Sequence, residues 1–351
     1  MRRMPGAGER AYAYAKACGI IGRSFIGKRV RRLEGVSRLS ELDRMVFPQA
    51  SRDLPEKELL LDLEKRITGR SVNSIISVVK SFSAVPEFLK LLIRSYEYAD
   101  LKTAISHIQD RDGKAPVNTD IGEFRTVRFD AWPDLPAMIK GTEFEFLLDK
   151  KIVKDEKQAG ILMQTLLDRH YYGALWESLL SLPQNDRYAA EKILSDEISL
   201  RNSSWTLRLR TYYRMTAEEV KSHLVDLPAR GKNPYGTSPV SHSLAFDALA
   251  CLEFPLDNFA AWSAWRWSSF LNPDSGGRRW KVDPRYFQNA ASLYLYRLSR
   301  RYFRSRPFSL DTIFCFIKLK QFEEDVLTSS VEGLGMGMSS GDIFSMLGVE
   351  S

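Results

Sequence analysis

Between Ile161 and Leu182 the chain places apolar pairs at Leu162/Met163, Leu166/Leu167, Tyr171/Tyr172, Leu175/Trp176 and Leu179/Leu180, with charged and polar residues between them. A recurrence every four or five residues draws one apolar stripe along a helix and leaves the opposite face to water. Similar periodicity predicts helices over 55–66, 72–82, 86–96, 184–196, 284–303 and 309–327. Strand-like alternation is confined to the short stretch EFRTVRFDAW at 123–132. The pattern predicts an all-α chain.

Three segments rich in Gly, Pro and Asn interrupt the helices: QDRDGKAPVNTD at 109–120, DLPARGKNPYGTSPVS at 226–241, and LNPDSGGRRWKVDP at 271–284. The first two cut the chain into three pieces of similar length, and the pieces resemble one another. EISLRNSSWTLRLRTYY (197–213) aligns with PFSLDTIFCFIKLKQ (307–321), so that Ser199 meets Ser309, Leu200 meets Leu310, and Arg208-Leu209-Arg210 meets Lys318-Leu319-Lys320. RSYEYADLKTAIS (94–106) supplies a first copy, with Asp100 at the position of Asn202 and Thr312. Capped ends recur as MTAEEVKSHLV (215–225) and MSSGDIFSMLG (338–348). Thr216 and Glu219 make a capping box, with Ser339 and Asp342 a shorter version of it. Starts recur as LSELDRMVF (39–47), DLPAMIKGTEF (134–144) and FDALACLEF (246–254). Three helical units, 1–116, 117–236 and 237–351, with Leu200 equivalent to Leu310, are the economical reading.

Composition narrows the setting. Hydrophobic residues at 44% support globular cores, and 351 residues suffice for two or three of them. The net charge of +7 points to an anionic neighbour, yet 51 bases stand against 44 acids, a mixed surface rather than a basic arm. Cys18, Cys251 and Cys315 are odd in number, far apart and set among apolar or small neighbours, which predicts thiols in a reducing compartment. No apolar run approaches the roughly 18 residues of a membrane span. The N-terminus has no continuous apolar segment of a secretory signal. The expected location is cytosolic, or the cytosolic side of a membrane.

The stretches that look chemical each fall short. GRSFIGKR at 22–29 keeps Gly22, Gly27 and Lys28 of a phosphate-binding loop, but Arg29 stands where Ser or Thr must hold magnesium, and no strand precedes it. His107, His170, His223 and His242 lack partners at a metal-ligand spacing. The mix of Trp and Arg in AAWSAWRWSSF and GGRRWK suits base stacking, but Trp262, Trp265 and Trp267 also suit a buried face with Arg266 projecting from it. No catalytic residue, cofactor or metal is expected.

The whole arrangement resembles the C/d subunit family of V-type and A-type ATPases. AYAYAKACGIIGRSFI is similar to that family's opening, EFLKLLIRSYEYADLKTAIS (87–106) to its first signature, and EISLRNSSWTLRLRTYYRMTAEEVKSHLV (197–225) to its second. Residues 307–348 are similar to the third. Asp100 and Thr312 depart from the family's usual Asn, and GKRVRRLEGVSR and the loop at 271–281 are particular to this chain. The resemblance implies a funnel of three helical units in pseudo-threefold arrangement around a central cavity. It implies a non-catalytic central-stalk connector joining the shaft subunits to the cytoplasmic face of the proteolipid ring during proton or sodium transport. In that reading the helix starts expected at Glu97–Asp100, Ser199–Asn202 and Ser309–Thr312 surround the axis. Arg201 and Asp311 are then the foremost shaft-contact candidates, with Asp100, Asn202 and Thr312 beside them. The competing expectation is a helical-repeat scaffold for acidic proteins or nucleic acid; the connector reading expects no nucleic acid.

Overall fold

A computed structural model describes residues 5–110, 113–149, 156–228, 243–274 and 279–347. Its helices are α1 (Ala7–Ile21), α2 (Leu39–Val46), α3 (Glu56–Val79), α4 (Glu87–Gln109), α5 (Leu135–Ile139), α6 (Glu156–Leu180), α7 (Gln184–Tyr212), α8 (Ala217–Lys221), α9 (Phe246–Ala250), α10 (Pro284–Ser305), α11 (Leu310–Gly335) and α12 (Ser340–Leu347). Short 3₁₀ turns fill several connections. Among the described residues the only extended pairing is one isolated bridge, Pro228 to Ser243. The all-α expectation holds, and the strand candidate at 123–132 is instead two 3₁₀ turns joined by irregular chain.

The long helices outrun their sequence signals. The stripes at 55–66 and 72–82 fuse into one helix because Ile67, Ser71 and Val72 carry the buried face across the gap. Gly69 is tolerated inside it; its cost of about 1 kcal/mol is small against that packed stripe. Helix α7 runs on to Tyr212, since Leu200, Leu207 and Leu209 remain buried. Pro86 and Pro183 stand directly before α4 and α7, where their fixed φ and missing N–H cost a helix nothing.

Six long helices form three hairpins, α3/α4, α6/α7 and α10/α11. Each is preceded by a short helix from the starts noted above: α2, α5 and α9. Packing between hairpins follows a cycle: α4 lies on α6, α7 on α10, and α11 on α3. Helix α11 occupies the middle, also touching α1, α2, α4, α7 and α12. It is buried on every side from Leu310 to Ile317, the mark of a helix with no solvent face. Phe314 and Phe316 are fully buried there, worth about 1.5–3 kcal/mol each.

A second core gathers Trp262, Trp265, Trp267, Trp280 and Phe287 against Leu200 and Leu207 of α7. Trp262 ends a 3₁₀ turn, and Trp265, Trp267 and Trp280 sit in turns and irregular chain rather than on a regular helix face. Their indole N–H groups are all used internally: Trp262 donates to Pro255 O, Trp265 to Asp247 O, and Trp267 to Asp247 and Ser199. Cys251 and Cys315 are buried free thiols; Cys18 is only half-buried.

Candidate functional site

A cavity of about 440 Å³ opens among α7, α10 and α11, with Tyr172 of α6 in its wall. Glu197, Arg201 and Arg208 enter it from α7, Tyr296 and Ser299 from α10, and Lys318 and Asp325 from α11. Helical spacing makes this possible: Glu197, Arg201 and Arg208 lie one and three turns apart on one face.

Its charges are unequally matched. Lys318 Nζ sits 2.7 Å from the Glu197 carboxylate. Arg201 pairs with Asp168 of α6, which also receives Lys102 of α4, so three long helices share one ionic node. Burial presses on the Arg201 guanidinium, but its electrostatic interactions with Tyr172 and with the Asp168 and Glu197 carboxylates more than offset this and hold its pKa above the ordinary value. Arg208 forms no ion pair among the described residues, lies 5.7 Å from the Trp205 ring centroid, and has a buried Nε without a hydrogen-bond partner. Ser299 Oγ, in the same wall, is also buried without a partner. Asp325 is exposed at the recess, yet its carboxyl is crowded by protein atoms. Burial, then Glu324, pushes its carboxyl up to about 7 against the pull of Lys318.

Of the five residues singled out in the sequence, Arg201 alone lines this cavity. Asp311 is fully buried between two helix starts: its Oδ2 accepts the Ala189 N–H at 3.0 Å and sits 3.3 Å from Arg306. Asp186 in turn accepts the Leu310 N–H at 3.2 Å, an amide of the first turn of α11, so the two helix starts are tied together. Thr312 is buried and donates to Arg306 O. Asn202 clamps Val225, donating to its carbonyl at 2.8 Å and accepting its N–H at 2.9 Å. Asp100 accepts from Thr119 N at 2.8 Å and Thr119 Oγ1 at 3.1 Å, and burial lifts it to about 6. Asp100 and Asn202 stand in the middle of α4 and α7, not at helix starts; only Ser309 occupies an N-cap.

Sequence reasoning missed a feature common to the three long second helices. Glu97 accepts the N–H of Val127 at 2.7 Å and that of Thr126, Asn202 accepts that of Val225, and Glu323 accepts that of Phe25 at 2.7 Å. Each buried polar side chain ties non-helical chain to the middle of a helix. Arg94 and Lys320, three residues before Glu97 and Glu323, neutralise the buried carboxylates. The i,i+3 charge pairs were the available signal, hidden because surface pairs look identical in a sequence. Arg208 and Lys318, aligned in the sequence repeat, both reach the cavity.

The near-match to a phosphate loop is committed elsewhere. It follows helix α1, the Phe25 N–H goes to Glu323, and the Gly27 N–H donates to Tyr296 OH at 2.8 Å. Among the described residues no group of His, Cys, Asp and Glu gathers as a metal site. His170 bonds Tyr98 and His223 bonds Thr165; His242 lies outside the described residues.

Cyclically packed hairpins, with a charged recess among α7, α10 and α11, define an all-helical protein. The ATP synthase (C/AC39) subunit family matches residues 53–230, from the approach to α3 past the end of α8, more than half of the chain. The chain belongs to that family and so to the subunits of V/A-type ATPases. An "uncharacterized protein" of Treponema pallidum (strain Nichols) is 27% identical over 326 residues, 93% of this chain and 92% of that protein.

Proposed function

We propose that the chain is the non-catalytic central-stalk connector of a V/A-type rotary ATPase, joining the shaft subunits to the cytoplasmic face of the proteolipid ring. The observation that carries this reading is the cycle of packing, α4 on α6, α7 on α10 and α11 on α3. A chain whose last hairpin closes on its first resists torsion, since relative rotation must break all three contacts. The same cycle supports three units, 1–116, 117–236 and 237–351, around an axis. The boundary near 236 lies outside the described residues. Arg201 and Arg208 in the recess are the residues proposed to meet the shaft. Asp311, Asp100, Asn202 and Thr312 support the scaffold that presents them. The chain attaches peripherally in this reading, and among the described residues no helix is long and apolar enough to cross a membrane. Burial of the Trp262, Trp265 and Trp267 rings removes the stacking surface a nucleic-acid scaffold needs.

Membranes carrying the ATPase with and without this chain test the proposal. ATP-driven ion pumping should depend on the chain, while ATP hydrolysis by the head continues uncoupled. Equal pumping in its absence would end the connector reading.

A further inference from the structure

The chain's basic surplus has one address. Residues 22–33 carry five bases and no acid, and α10 carries five arginines and no acid. Those ten positive charges exceed the whole chain's +7, so the remaining residues sum to −3. The fold brings the two elements together. Gly27 donates its N–H to Tyr296 OH at 2.8 Å, and a Cβ on Gly27 would stand 3.3 Å from the Arg300 guanidinium. Lys28, Arg29, Arg31, Arg32, Arg301 and Arg304 are all exposed. None of the six forms an ion pair among the described residues.

An aromatic edge borders this face where α10 ends. Tyr14 packs on both Phe303 and Phe308, with ring centroids 5.7 and 5.5 Å away. Phe308 is 52% exposed and held at φ 70°, a backbone region that bulky side chains avoid. Exposed Tyr188 packs near the same end of α10, against Tyr302 and Arg306.

We infer that this face docks on the anionic phospholipid headgroups of a bilayer. Scattered, exposed cations without a shaped pocket match mobile phosphates better than the fixed acids of a folded partner. Each Lys or Arg near such a surface contributes about 1 kcal/mol. Aromatic rings at the border suit the boundary between headgroups and water. The inference deepens the connector reading by naming what its basic face rests on.

Flotation with vesicles of phosphatidylcholine alone, and of phosphatidylcholine and phosphatidylglycerol in equal parts, tests it without any other ATPase subunit. The full chain should float only with the anionic vesicles, and less as salt rises. Neutralising Lys28, Arg29, Arg31 and Arg32 to Gln should weaken binding about fivefold per base, on the order of several hundredfold together. Circular dichroism checks that this variant stays folded, and R301Q/R304Q tests the other element independently. Equal behaviour on both vesicles, or no change in either variant, overturns the inference. So does binding to a lipid-free proteolipid ring or to duplex DNA when anionic vesicles are ignored. Because shaft binding plays no part in the assay, the lipid face can fail while the connector reading stands, and the reverse.

Discussion

Glu323 in the last long helix accepts the backbone N–H of Phe25 at 2.7 Å, across 298 residues of sequence. The bond fastens the segment after α1 to the buried middle of α11, where the cycle of hairpins closes. Burial alone would raise the Glu323 carboxyl, but Lys320, the Phe25 amide and Arg70 together hold it below its ordinary range. Lys320, itself 2% exposed, has its pKa lowered by burial despite that carboxylate.

Glu323→Ala should therefore cost about 3–5 kcal/mol, because it strands the Lys320 ammonium and the Phe25 amide together. Replacing Lys320 and Glu323 jointly with Met and Leu should cost much less, since no buried charge is then left alone. Urea unfolding of both variants reads the difference. A double variant as unstable as the single one would show that the ion pair is not the source of the loss.

Asn202→Leu removes a donor and an acceptor from Val225 at once. Two buried backbone groups lose their partners, for a cost of roughly 2–4 kcal/mol. Hydrogen exchange should rise first at Val225, in the non-helical chain after α8, ahead of the amides of α7. Uniform exchange along α7 would contradict a local clamp.

Asp100 gives a pH signature. Its folded carboxyl titrates near 6 against an ordinary 3.8, with burial as the main cause. The native state thus holds a proton that the unfolded chain releases. The contribution is complete below about 4 and lost as pH rises through about 6, on the order of 2–3 kcal/mol. Asp100→Asn should flatten this part of the stability profile. An unchanged slope between pH 4 and 7 would assign it to other groups.

Arg208→Ala tests the recess. Removing this unpaired cation should weaken binding of the shaft subunits about 10- to 100-fold and leave the melting temperature nearly unchanged. Asp311→Lys should do something different: it inverts a fully buried charge between two helix starts and should unfold the chain. Unchanged shaft affinity in Arg208→Ala would move the contact surface out of the cavity.

The sequence by itself determined the helices, their apolar faces, the capping box at Thr216 and the recurring short starts. These are local: periodicity, turn chemistry and capping act within a few residues. They made the all-α fold and the family resemblance legible. Tertiary structure decided which polar residues point inward. Asp311, Asn202 and Thr312 read as surface candidates until the fold set them against Ala189, Val225 and Arg306. Arg94–Glu97 and Lys320–Glu323 have the same i,i+3 spacing as the exposed Glu218–Lys221 pair. Spacing along one helix fixes neighbours, whereas burial depends on what other helices bring across, and no single segment encodes that.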